Sequence, residues 1–144
     1  MLHIVQGLTT PKMKPVKTEL SDFEALIRFK TIQIKPEQKN QMVSMRNGTT
    51  ETLAKATLCW YFIADELLNE KRSNANLVNR SLLILDYDDV KTYIQNAKKI
   101  IHDAISEYAY FLYPSTSYSH EKPNFRLVVD AERNMIKGEY QATI

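Results

Sequence analysis

The spacing of apolar residues changes several times along the chain, and each change marks out an element. In LSDFEALIRF, Phe23, Leu26 and Ile27 recur at helical spacing behind Ser21 or Asp22 as a cap, which predicts a short helix. KTIQIKP alternates instead, with Ile32 and Ile34 on one face and Pro36 ending the run, so a short strand is expected there. ATLCWYFIADELL is ambiguous, since Trp60 to Ile63 suit a strand while Ala64 to Leu68 would also suit a helix; a strand followed by a turn is the preferred reading. SLLILDYD holds a continuous apolar run, Leu82 to Leu85, which reads as a central strand with both faces covered. Spacings of three and four then return. Val90, Ile94, Ala97, Ile101, Ala104 or Ile105, and Tyr108 face one way, with Lys91, Gln95, Lys98, Lys99 and Asp103 opposite, as in an amphipathic helix. AYFLYPS is a strand broken at Pro114, STSYSHEKPN a polar loop, and FRLVVD a third strand in which Phe125, Leu127 and Val129 alternate with Arg126 and Val128. AERNMIKGEYQATI looks like the start of a further helix.

Strand, helix and strand over 81–130 make a βαβ-like unit, with a right-handed crossover if the strands are parallel, and place the chain among α+β folds with helices packed on a sheet. The Lys- and Pro-rich stretch TTPKMKPVKTE reads as extended, so 1–20 form an arm and 21–144 a single domain. Residues 37–56 are polar and contain the turn signal Asn47-Gly48.

Composition narrows the class. With 44% hydrophobic and 25% charged residues the chain matches a soluble globular protein, and a formal charge of +2 does not by itself argue for nucleic acid. The single cysteine, Cys59, has no internal disulfide partner and reads as a small buried hydrophobe, which suits a reducing cytoplasm. The N-terminus lacks the apolar core of a secretion signal, and no apolar run reaches membrane-span length. There is no phosphate-binding glycine loop, no Cys/His zinc spacing and no Gly-flanked nucleophile serine, so those enzyme classes lose support.

The candidate chemistry lies where RSLLILDYDD runs from apolar residues into three acids. On a strand Asp86 and Asp88 share a face, about 7 Å apart, while Tyr87 points the other way. Two such carboxylates can converge on a hard cation, Mg²⁺ or Mn²⁺, and because they repel each other, a metal or a basic partner stabilises them. Asp89 would cap a helix starting near Val90. Acids at this position can also do no more than cap and solvate. Ligand sites do gather at the carboxyl ends of strands in open α/β sheets, however, and the loop after Pro114 can reach the same place. That loop offers Ser115, Thr116, Ser117, Tyr118, Ser119, His120 and Lys122, with Arg126 beyond it; hydroxyls, an imidazole and cations suit a triphosphate. Lys71, Arg72 and Arg80 add basic groups nearby in sequence.

KRSNANLVNRSLLILDYDD followed by YFLYPSTSYSHEKPNFRLVV resembles the primase-like replication proteins of phages, plasmids and integrated islands, members of the archaeo-eukaryotic primase superfamily. The resemblance is strongest over 70–142. It implies an RRM-like, primase-like sheet and metal-dependent nucleotidyl transfer that builds primers from nucleoside triphosphates on single-stranded DNA, alongside other replication proteins. The superfamily's first motif, a strand-borne DxD that binds Mg²⁺ or Mn²⁺, matches Asp86 and Asp88. Its second, a small residue two before a histidine, falls at Tyr118 without gaps and at His120 when shifted by two. The resemblance thus implies Asp86, Asp88 and His120 as catalytic, and Arg72, Ser117, Tyr118, Ser119, Lys122 and Arg126 on nucleotide or phosphate. The third motif is an acid past a later strand; Asp130 follows FRLVV, whereas the family's acid lies further on, roughly where this chain ends. Two expectations follow: an N-terminal, primer-making part of a longer replication protein, or a shortened relative that binds DNA or a partner protein without chemistry.

Overall fold

A computed structural model of the chain describes residues 1–7, 11–28, 59–88, 90–115 and 118–143. The strand expected at KTIQIKP and the polar stretch 37–56 lie outside the described residues. By internal contacts the chain divides into two units, 1–80 with 136–144, and 81–135. None of the described helices is long and apolar enough to cross a membrane.

The first unit begins with β1 (His3–Gln6), in which buried His3 and Val5 alternate with half-buried Ile4 and exposed Gln6. The backbone of β1 pairs along both edges, with β2 (Lys14–Pro15) and β3 (Trp60–Ile63), both antiparallel to it. Gly7 ends β1 at φ 76°, a left-handed conformation that glycine adopts without a Cβ clash, and its N–H donates to the Cys59 carbonyl at 2.8 Å. Val5, fully buried Met13 and Leu67 form a small core with Tyr61, Ile63 and Leu77 around it. The segment read as an extended arm therefore carries β1 and β2 and contributes Leu2, Val5 and Met13 to buried positions.

The predicted short helix is α1 (Asp22–Arg28). Ser21 is its cap: its Oγ accepts from the Glu24 N–H at 3.2 Å, and the Glu24 carboxylate accepts from the Ser21 N–H at 3.0 Å. This reciprocal pair satisfies two backbone donors that the first turn leaves open. The ambiguous run around Trp60 resolves into β3 and, after Ala64, the short β4 (Asp65–Leu67). Cys59 is half-buried rather than sealed in a core.

β5 (Leu77–Tyr87) begins four residues before the predicted run, because Asp65↔Arg80 and Glu66↔Asn79 pair it with β4 in antiparallel register. In the second unit, the last part of β5 is followed by α2 (Ile94–Ile105), β6 (Tyr110–Pro114) and β7 (Phe125–Ile136), with strand order β5-β7-β6. β6 and β7 are antiparallel, from Tyr110↔Val129 to Pro114↔Phe125. Ala97 and Ile101 of α2 pack on Phe125 and Leu127, ringed by Leu85, Tyr87, Val90, Ile94, Ile105, Tyr110, Leu112 and Val129. The period-four stripe of the helix thus meets the period-two face of the strands, as the sequence predicts.

Two boundaries differ from expectation. The helix opens at Ile94 with Tyr93 at the cap position and no side-chain cap bond, because Val90 fills the core from non-helical backbone. Asp89, expected as the cap near Val90, lies outside the described residues, and the cap position is four residues beyond it. At the other end, AERNMI continues β7 instead of starting a helix. Glu132 adopts φ 59°, which no helix interior accommodates; Asp130 Oδ1 accepts its N–H at 3.0 Å, and the strand resumes to bury Met135. The final helix, α3, is only Lys137–Thr143.

Candidate functional site

Alternation along three strands decides which groups meet. Leu85 and Tyr87 of β5, Phe125 and Leu127 of β7, and Tyr110 and Leu112 of β6 all pack in the α2-side core. Their neighbours Asp86, Arg126 and Tyr113 therefore lie on the opposite face of the sheet. Tyr113 stands in register with Arg126, and Arg126 Nε donates to Asp86 Oδ1, so the three form a row across β6, β7 and β5. Tyr87 stacks on Phe125 beneath this row, with ring centroids 5.0 Å apart, and fixes the end of β5 against the start of β7.

The electrostatics of the row are one-sided. Partial burial disfavours the charge on Arg126, yet hydrogen bonds to Asp86 and Tyr113 outweigh it and hold the proton more tightly than in a free guanidinium. Burial raises the Tyr113 phenol, against the opposing pull of Arg126, so it stays neutral and available as a hydrogen-bonding group. Solvent still reaches the pair: the Arg126 side chain is 38% and that of Asp86 58% exposed. An ion pair this exposed contributes under about 1 kcal/mol, so it orients Asp86 without locking it.

Asp88 follows β5 directly and is exposed, so both acids of the DxD reach solvent at the strand end. Among the described residues, no group of three or more His, Cys, Asp and Glu could hold a metal ion. The two carboxylates are nonetheless hard oxygen donors of the kind Mg²⁺ uses when it keeps several waters and shares the rest of its shell with substrate phosphates. By donor chemistry two carboxylates fit such an ion, and Asp86 carries the Arg126 guanidinium as its counter-charge.

The loop from Ser115 to Asn124 is built by its own backbone: Ser115 N–H donates to the Asn124 carbonyl at 3.0 Å and Ser119 N–H to the Lys122 carbonyl at 2.9 Å. Ser119 Oγ accepts from the Lys122 N–H at 3.0 Å, so this hydroxyl already serves the turn. His120 and Lys122 are exposed within that turn, and the His120 ring meets the edge of Tyr118 at 6.2 Å. Ser117 lies outside the described residues. Arg72 belongs to the first unit, where its N–H donates to the Pro11 carbonyl at 2.9 Å.

Two features escape sequence reading. Tyr113 looks like one more apolar strand residue until the register of β6 sets it beside Arg126; alternation within YFLYP is the only signal for it. The second is a buried charged cluster in the first unit. There Asp65 Oδ2 lies 3.1 Å from Arg80 Nε, His3 Nδ1 lies 3.0 Å from the Asp65 carbonyl oxygen, and the Arg80 guanidinium sits 3.8 Å over the Tyr140 ring. Desolvation pushes the Asp65 carboxyl up to about 6, against the opposing pull of Arg80.

A family model described as the VapE N-terminal domain matches residues 17–144. No curated protein and no solved structure matches the chain.

Proposed function

Because this chain belongs to the VapE N-terminal domain family, a replication-protein module found in phages, plasmids and other mobile elements, we propose that it binds a nucleoside triphosphate together with Mg²⁺ or Mn²⁺ at the carboxyl end of β5, and that this site serves primer synthesis on single-stranded DNA. The observation that carries the reading is the row Tyr113–Arg126–Asp86, which presents a carboxylate, a guanidinium and a phenol on the sheet face opposite α2. The strand order supports it too. β7 beside β5, with a helix linking β5 to β6, is the order of a split βαβ unit, on which RRM-like sheets are built.

In this reading Asp86 and Asp88 would hold the metal, which when bound supplies charge neutralisation to the phosphates. Arg126 donates to phosphate oxygens in the bidentate geometry that suits guanidinium, and Lys122 adds a point charge. His120 and Tyr118 lie on the loop that follows β6 and face the base or sugar. Arg72 is a further phosphate-binding candidate, and Ser119 contributes less because its hydroxyl already serves the turn.

A second reading has its own observation. Asp86 is already neutralised by Arg126, and no third acid joins it among the described residues, which suits a module that binds DNA or a partner protein without catalysis. Calorimetric titration with ATP and Mn²⁺ tests the first reading: binding should require Mn²⁺ and vanish in Asp86→Ala with Asp88→Ala. Equal binding by that double variant would remove the metal assignment. Primer synthesis on a single-stranded template then separates the two, since the second reading expects none.

A further inference from the structure

The geometry points to Arg126 as an exchangeable counter-ion: it holds Asp86 while no divalent cation is present, and turns to the triphosphate when a cation takes the carboxylate. This rests on the metal–nucleotide reading above and adds a role which that reading does not require. The Nε of Arg126 bonds Asp86 Oδ1 directly, so guanidinium and metal compete for the same carboxylate. Both side chains reach solvent, which makes the pair weak enough to exchange. Tyr113 supplies the fixed point. It stands in register with Arg126 and also hydrogen-bonds it, and a guanidinium carries five N–H donors, so Arg126 can keep Tyr113 while it turns from a carboxylate to a phosphate.

The exchange has a thermodynamic consequence with two opposite signs. Arg126 opposes the binding of metal alone, because the ion must displace it, and favours metal with triphosphate, because the displaced guanidinium then meets an anion. A residue that merely braced the strands would weaken both.

The test is Mn²⁺ binding to the full chain, followed by the electron paramagnetic resonance signal of the free ion, with and without ATP. Arg126→Gln should bind Mn²⁺ alone about two- to fivefold more tightly than the parent, the size set by an exposed ion pair. The same variant should bind ATP with Mn²⁺ about tenfold more weakly, through loss of a charge-assisted contact. Equal or weaker binding of Mn²⁺ alone would overturn the exchange. Asp86→Ala separates the two levels: if Mn²⁺ binding survives it, the metal reading itself fails, whereas loss of binding there with no tightening in Arg126→Gln defeats the exchange only. Should Arg126→Gln not fold, the parent chain decides by NMR. Its Arg126 Nε–H resonance should shift on saturation with Mg²⁺, and a resonance that does not move refutes the proposal.

Discussion

Raising the pH from about 4 to about 7 should withdraw stability from the first unit through a single carboxyl, Asp65. Its side chain is 7% exposed, and desolvation holds its pKa at about 6 against an ordinary 3.8, despite the opposing pull of Arg80 and the N-terminal ammonium; Asp22 adds a smaller upward push. His3, packed on the Asp65 backbone, and Tyr140, under Arg80, complete the groups around it. A folded-state value above the unfolded one means that folding takes up a proton. The contribution is complete below the unfolded value and is lost as pH rises through about 6. The gap between 3.8 and about 6 corresponds to on the order of 3 kcal/mol. Asp65→Asn keeps the size of the side chain and removes the titration. Urea unfolding of parent and variant across this range isolates the effect, since every other group cancels in the difference. Stability of the variant minus that of the parent should grow by roughly 2–3 kcal/mol from about pH 4 to about pH 7. Parallel curves would refute the reasoning and mean that Asp65 ionises in the fold as freely as in the unfolded chain.

Two further substitutions test local claims by shifts in the urea midpoint. Ser21→Ala removes the acceptor for the Glu24 N–H and half of the reciprocal cap, and should cost about 1 kcal/mol, with Ser21→Asp recovering most of it. Glu132→Gly relieves a non-glycine residue at φ 59° and should stabilise by about 1 kcal/mol, whereas Glu132→Ala, which keeps a Cβ, should give no such gain.

How much was legible in the chain follows from how local each signal was. Leu82 to Leu85 and the spacing from Ile94 to Ile105 predict β5 and α2 because period and burial coincide there. The face of Asp86, opposite Tyr87, is also readable, since side-chain direction on a strand is fixed by parity alone. Boundaries were not. Ala131 and Met135 are four apart and suit a helix by spacing, whereas β7 runs on as a strand through Ile136 with a left-handed residue at Glu132 that rules a helix out there. The partners of the site were likewise out of reach. That Arg126 meets Asp86, 40 positions away, depends on β7 lying next to β5 in the sheet, an order that sequence adjacency does not specify. Arg80 stands near the acids along the chain, yet its contacts to Asp65 and Tyr140 depend on the pairing of β4 with β5 and on the final helix, neither of which sequence adjacency specifies.

If metal and nucleotide bind at the end of β5, the ion can be located on the chain itself. Mn²⁺ broadens NMR signals of nearby nuclei, so a sub-stoichiometric amount added with ATP to the ¹⁵N-labelled protein should erase first the amides around Asp86 to Asp88 and those of Phe125 and Arg126. Broadening that centres on any other segment, or that spreads evenly over the chain, would place the ion elsewhere and rule out a site at the end of β5.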